Sequence, residues 1–179
     1  SLLARSPFST VSDFNFSIIP MFILMGTFAA TSGMSAELFR ASQAWLGHLR
    51  GGPAIPTISA CAGFAAINGS SVATAATMTQ VALPELRKAG YSPGLSTGVI
   101  AAGGTLGIMI PPSVIFVLYG IMTQTDIGQL FIAGIVPGLL GVAMYVATVR
   151  IIGARDPSHM PAGPRHGWAE RFAALKDVW

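Results

Sequence analysis

The chain has 179 residues, of which 52% are hydrophobic and only 9% charged, and its mean hydropathy is +0.64. A soluble domain carries about 25% charged residues, so the composition excludes an ordinary water-soluble globule and points to an integral membrane protein. A lone Cys61 and three scattered histidines exclude a disulfide framework and a transition-metal site, and the few basic residues behind the net charge of +3 sit at the ends of apolar stretches, as topology signals rather than a nucleic-acid footprint.

Residues 1–13 hold Arg5, Pro7 and Asp13 and form a lead-in without the apolar core of a secretory signal. The start at Ser1 rather than Met predicts a piece of a longer chain. Residues 14–36 are uncharged over about 23 positions, enough for a transmembrane helix at about 1.5 Å per residue. In 37–50, Leu38, Ala41, Trp45 and Leu49 fall at helical spacing, with Arg40, His48 and Arg50 elsewhere. That pattern predicts an amphipathic helix along the membrane interface.

Residues 51–84 are uncharged over about 34 positions, too many for one plain crossing and too few for two. Their middle, AINGSS at 66–71, is polar and flexible. The economical solution is a re-entrant helical hairpin with its tip inside the membrane. Bare backbone at that depth is tolerated only when packed in protein or facing a water-filled cavity. Glu85, Arg87 and Lys88 predict a short charged loop.

Residues 89–125 form a third uncharged stretch, interrupted by GGTLG at 103–107 and PPS at 111–113. Adjacent prolines remove two backbone donors and disfavour helix just before them. The expectation is a broken transmembrane helix: a half-helix over 95–102, an unwound middle, and a second half over 113–123 opened by Pro112 or Ser113. Asp126 reads as a loop or helix-cap residue. Residues 127–150 predict a last transmembrane helix. In 151–179, a Pro/Gly/His-rich loop over 156–167 precedes a short amphipathic helix with Phe172, Leu175 and Trp179 on one face. The fold class is therefore an all-α membrane protein with a re-entrant hairpin and a discontinuous helix.

Charge orients the elements. Placing Arg40 and Arg50, Arg87 and Lys88, and the basic residues from Arg150 onward on one side satisfies the positive-inside rule. This works only if 51–84 returns to its starting side, which supports the hairpin independently. The lead-in and the Thr125-Asp126 loop then lie on the opposite face.

No catalytic constellation is present, and the uncharged stretches contain no Asp, Glu, Lys, Arg or His for a proton relay. The chain reads as no enzyme and needs no organic cofactor. What remains is two polar, helix-breaking patches: Asn68, Gly69, Ser70, Ser71 and Thr74, and Gly103, Gly104, Thr105 and Gly107 followed by Pro111, Pro112 and Ser113. Unwound carbonyls and Asn, Ser and Thr oxygens suit a hard cation such as Na+. Half-helix C-termini carry partial negative charge, and half-helix N-termini near Val72 and Ser113 favour a carboxylate. The competing reading is packing: Ala65, Gly69 and Ala73 have small-xxx-small spacing, as do Gly103 and Gly107, which commonly means close helix contact.

Four runs, FAAINGSSVATAA (64–76), PELRKAGY (84–91), AAGGTLGIMIPPS (101–113) and FIAGIVPG (131–138), together with IPMFILMG (19–26) and Ser32-Gly33, resemble the large membrane subunit of TRAP transporters (tripartite ATP-independent periplasmic) in order and spacing. The resemblance implies an elevator-type secondary transporter of the ion transporter superfamily. It would import an organic acid such as a C4-dicarboxylate, a sialic acid or a keto acid across the bacterial inner membrane on a sodium gradient. It implies as partners a periplasmic substrate-binding protein and a small membrane subunit, beside the lipid bilayer and no nucleic acid. By the same resemblance, Asn68, Gly69, Ser70 and Ser71 with Gly103, Gly104, Thr105 and Gly107 would form a sodium site. Ser71, Thr74, Pro111, Pro112 and Ser113 would lie near the substrate carboxylate, and 37–50 would be an arm helix. Such subunits contain two inverted repeats and this chain holds one set, so the missing second repeat is a further expected partner. The alternative is a non-transporting remnant or structural membrane subunit.

Overall fold

The computed structural model describes residues 18–49, 51–155 and 167–176. The expectations for 1–13, for most of the 156–167 loop and for Trp179 lie outside these residues. The described residues form helices and connecting turns, with no strand among them: α1 (Ile18–Thr31), α2 (Met34–Leu46), α3 (Ala54–Asn68), α4 (Ser71–Lys88), α5 (Pro93–Met109), α6 (Val114–Thr123), α7 (Ile127–Arg155) and α8 (Trp168–Lys176).

The first helix stops at Thr31 rather than running on to residue 36. Gly33 lies in the left-handed region at φ 85°, which turns the chain into α2. Pro53 and Pro56 precede or enter the first turn of α3, where a missing N–H costs nothing. α3 is apolar on nearly every side and is the buried centre of the fold: Ile55, Ile58, Cys61, Phe64 and Ala65 are almost wholly enclosed. Around it pack Phe39 of α2, Met78, Ala82 and Leu86 of α4, and Val99, Ile100 and Leu106 of α5.

α3 and α4 form a helical hairpin joined by Gly69 and Ser70 alone. Gly69 adopts φ 63° as the C-cap of α3, its N–H donating to the Ala65 carbonyl. Ser70 caps α4, its hydroxyl accepting from Ala73 N–H at 3.4 Å. The base of the hairpin is closed as well. The Tyr91 hydroxyl donates to the Gly51 carbonyl at 2.7 Å, joining the turn after α4 to the turn before α3.

Two further expectations, beside those for helix ends, are corrected by the structure. Glu85, Arg87 and Lys88 are not a loop but the last turn of α4, which carries Pro84 within it. Cations in a last turn suit the helix dipole, and Lys88 pairs with Glu85 at 2.7 Å. The GGTLG segment is not unwound: α5 runs without interruption from Pro93 to Met109, and the break is confined to 110–113. The reason is packing. A Cβ on Gly103 would lie 2.7 Å from Cys61 Sγ, and one on Gly104 would lie 2.8 Å from Ala75 Cβ. These glycines let α5 press against both arms of the hairpin. Lipid offers no hydrophobic drive between helices, so such close approach is a main source of association.

α7 runs 29 residues from Ile127 to Arg155, further than the expected end at 150. Asp126 caps it, its carboxylate accepting from Gln129 N–H at 2.8 Å. Ile132, Val136, Leu139 and Met144 of α7 are 70%, 72%, 64% and 62% exposed. Large apolar side chains so displayed fit contact with lipid, not water. Among the described residues, two helical stretches, Pro93–Thr123 and Ile127–Arg155, are long and apolar enough to cross a membrane.

Candidate functional site

The site forms where the hairpin tip meets the break between α5 and α6. Pro111 and Pro112 lack N–H groups, and in a continued helix those groups would close on the carbonyls of Gly107 and Ile108. The Ser113 hydroxyl replaces one of them, donating to the Ile108 carbonyl at 2.9 Å. Among the described residues no side-chain or loop donor covers the Gly107 carbonyl. The Pro111–Pro112 peptide is cis. Ser113 is fully buried and extended, and α6 starts from it.

The tip seats directly on this break. Val114 N–H donates to the Gly69 carbonyl at 3.2 Å, so the first donor of α6 pairs with the C-cap of α3. A Cβ on Gly69 would collide with the Pro112 carbonyl, and the backbone of Ser113 is 3.3 Å from that position. From α5, Gly107 approaches the other side of the tip: its Cβ would stand 2.6 Å from the Ser70 carbonyl and 2.9 Å from Ser71 Cα. Only glycine permits these approaches.

Four helix ends therefore meet in one place. The C-termini of α3 and α5 bring partial negative charge and unpaired carbonyls. The N-termini of α4 and α6 bring partial positive charge and N–H groups. Two side chains add buried polar atoms with no hydrogen-bond partner among the described residues: Asn68 Nδ2 and Thr74 Oγ1. Such atoms carry a free-energy cost of about 1–3 kcal/mol unless something satisfies them, which marks the tip as a place where polar matter is expected.

The structure brings Gly69, Ser70, Ser71, Gly107, Pro112 and Ser113 together at this junction. Asn68 lies one residue before it, its Oδ1 against Gly26 of α1, where a Cβ would collide with that oxygen. Thr74 is wholly buried one turn into α4, and Gly104 meets α4 a little further along. Pro111 belongs to the break itself. Gly103 faces α3 instead. Thr105 points away: exposed, it donates to the Ala102 carbonyl at 2.7 Å and shares a 2.9 Å hydrogen bond with the Tyr145 hydroxyl of α7. Sequence reasoning missed Gly26 as the surface receiving Asn68 and Tyr91 as the clamp at the base. A lone glycine and a lone tyrosine carry no local pattern that discloses such distant partners.

Residues 1–179 match the family described as "Tripartite ATP-independent periplasmic transporter, DctM component". The chain is 41% identical over 99% of its length to the C4-dicarboxylate TRAP transporter large permease protein DctM of Pseudomonas aeruginosa, covering 41% of that protein. It is 35% identical over 89% of its length to the ectoine/5-hydroxyectoine large permease protein UehC of Ruegeria pomeroyi, covering 37% of it. It is 30% identical over 98% of its length to the sialic acid large permease protein SiaM of Vibrio cholerae, covering 41% of it. The chain thus spans about two fifths of the length of these relatives.

Proposed function

Since the chain belongs to the DctM component family of tripartite ATP-independent periplasmic transporters, we propose that it supplies one repeat of a large permease that imports a small organic acid with Na+ across the bacterial inner membrane. The observation that carries this reading is the seating of the tip on the break, with the Gly69 carbonyl bonded to Val114 N–H and four helix ends converging there. Na+ as coupling ion suits the oxygens at the junction, the uncovered Gly107 carbonyl and the Ser71 hydroxyl, with the buried Thr74 hydroxyl one turn behind them in α4. The helix N-termini at Ser71 and Val114 suit the carboxylate of the substrate. Gly103, Gly104 and Thr105 would act behind this layer, by holding α5 against the hairpin and against α7.

In this reading α3 and α4 are a re-entrant hairpin in a multi-pass protein, and the basic helix ends face the cytoplasm. The hairpin and the broken helix move together as an elevator while α2 serves as an arm. A second repeat completes the site, a small membrane subunit braces the permease, and a periplasmic binding protein delivers the acid. The relatives are named for C4-dicarboxylate, ectoine and sialic acid, so the class of small organic acids is as fine as the proposal goes.

Sodium-driven uptake into proteoliposomes tests it. In the complete transporter, Ser71→Leu and Gly104→Leu should abolish uptake while both proteins still reach the membrane. Normal uptake by both would refute the assignment. Absence of any sodium-driven uptake by the unaltered complete transporter would favour a structural subunit instead.

A further inference from the structure

A cavity lies away from the tip, between α2, α4 and α8. It is an open-sided cleft of about 700 Å³, within the usual range for small-molecule sites. Apolar surface predominates, from Phe39 and Ala44 of α2, Val81 of α4 and Ala174 of α8, while Arg40, Gln43 and Gln80 stand at it as polar groups beside Glu85 and Glu170. Among the described residues, Arg40 has no ion-pair or hydrogen-bond partner. The two carboxylates at the cleft are already engaged. Glu85 pairs with Lys88 at 2.7 Å, and Glu170 accepts from Gly167 N–H at 3.2 Å.

The cleft also has a definite depth. It reaches the charged end of α4, beside Glu85, and that helix closes with Arg87 and Lys88. Charges at a helix end mark the level where hydrocarbon gives way to headgroups. Next to the cleft, Trp45 of α2 meets Trp168 and Phe172 of α8 edge-to-face at 6.3 and 5.8 Å. Arg171 lies 5.3 Å over the Trp168 ring. Aromatic rings and arginine at this level are the ordinary furniture of a membrane interface. An apolar cleft lined by an unpaired arginine, beside the charged end of α4, matches an amphiphile with an anionic head.

We infer that this cleft holds one phospholipid, its phosphate on Arg40 and one acyl chain along Phe39, Val81 and Ala174. The lipid would fill the space between the amphipathic helix α2 and the hairpin arm α4. This inference is independent of the substrate reading, because no residue of the tip or the break lines the cleft.

Native mass spectrometry of the detergent-purified protein with added phosphatidylglycerol tests the inference. The unaltered protein should retain one lipid. Arg40→Gln should weaken retention roughly tenfold, as expected for one charge-assisted hydrogen bond. Ala174→Trp, which fills the trough from a half-buried position, should abolish retention, whereas Arg87→Gln should leave it unchanged. Diacylglycerol, which lacks the phosphate, should bind much more weakly, and inorganic phosphate should not displace the lipid. Retention unchanged in both Arg40→Gln and Ala174→Trp would overturn the inference. Equal binding of diacylglycerol, or displacement by inorganic phosphate alone, would also overturn it.

Discussion

Replacing Gly107 by Ala sets two effects against each other. Alanine favours a helix interior over glycine by about 1 kcal/mol. The new Cβ, however, would sit 2.6 Å from the Ser70 carbonyl oxygen, 2.7 Å from its carbon and 2.9 Å from Ser71 Cα. Ordinary contacts lie near 3.5–4.0 Å, so the tip must retreat by about 0.7–1 Å. All three neighbours are backbone, so no side-chain rotation relieves the clash. Overpacking of this kind costs about 1–3 kcal/mol. Gly98→Ala is the matched control: it lies in the same helix, with nothing within 4 Å of its Cβ position. The helix-propensity gain cancels between the two variants and isolates the clash. Gly107→Ala should melt roughly 3–10 °C below Gly98→Ala in detergent, and sodium-driven uptake should fall at least about tenfold, since a shift near 1 Å at a coordinating tip is severe. If Gly107→Ala melts with Gly98→Ala and transports normally, the tip does not depend on this contact and the reasoning fails.

Three further outcomes follow from the same geometry. Tyr91→Phe removes the 2.7 Å bond to Gly51 and should cost about 1 kcal/mol in thermal unfolding. Tyr91 lies outside the membrane-crossing stretches, and burial pushes its phenol up to about 12, with the Ala54 backbone pulling slightly the other way. Its folded state therefore prefers the protonated form. That contribution is complete below the ordinary value of 10.0 and is lost as pH rises through about 12. The unaltered protein should lose stability over that range more steeply than Tyr91→Phe. Ser113→Ala removes the donor that covers the Ile108 carbonyl at a part-buried position and should destabilise by about 0.5–1.5 kcal/mol in denaturant unfolding. Trp45→Ala removes two edge-to-face ring contacts and the 3.1 Å bond from its indole N–H to the Arg171 carbonyl. Limited proteolysis should then cut at α8 much faster while the hairpin stays protected.

The sequence made some features legible because their cause is local. Polar AINGSS between apolar arms disclosed the turn of the hairpin, since apolar helices cannot carry such a run through their middle. The double proline disclosed the break, because missing donors act on their own helix. Asp126 read as a loop or cap residue, and its carboxylate accepts from Gln129 N–H at the start of α7. What stayed hidden depends on neighbours distant in sequence. The GGTLG run looked like unwound backbone, since glycine weakens an isolated helix. Within the fold the same glycines are held helical by Cys61 and Ala75 pressing against them. The break is accordingly four residues at 110–113, and its first uncovered carbonyl is that of Gly107. Thr105 looked like a ligand by type alone, yet its place on the α7 side of the helix commits its hydroxyl to Ala102 and Tyr145. The docking of α8 on Trp45 was equally invisible, because it joins residues more than a hundred positions apart.

The most direct test of the central claim is the melting temperature of the purified transporter in Na+ against K+ at equal ionic strength. A ligand that binds only the folded state raises its stability. If the junction of tip and break binds Na+, the unaltered protein should melt higher in Na+, by a margin that grows with its concentration, and Ser71→Leu should show no such margin. Identical melting in the two salts, or an undiminished Na+ effect in Ser71→Leu, would contradict a sodium site at the hairpin tip.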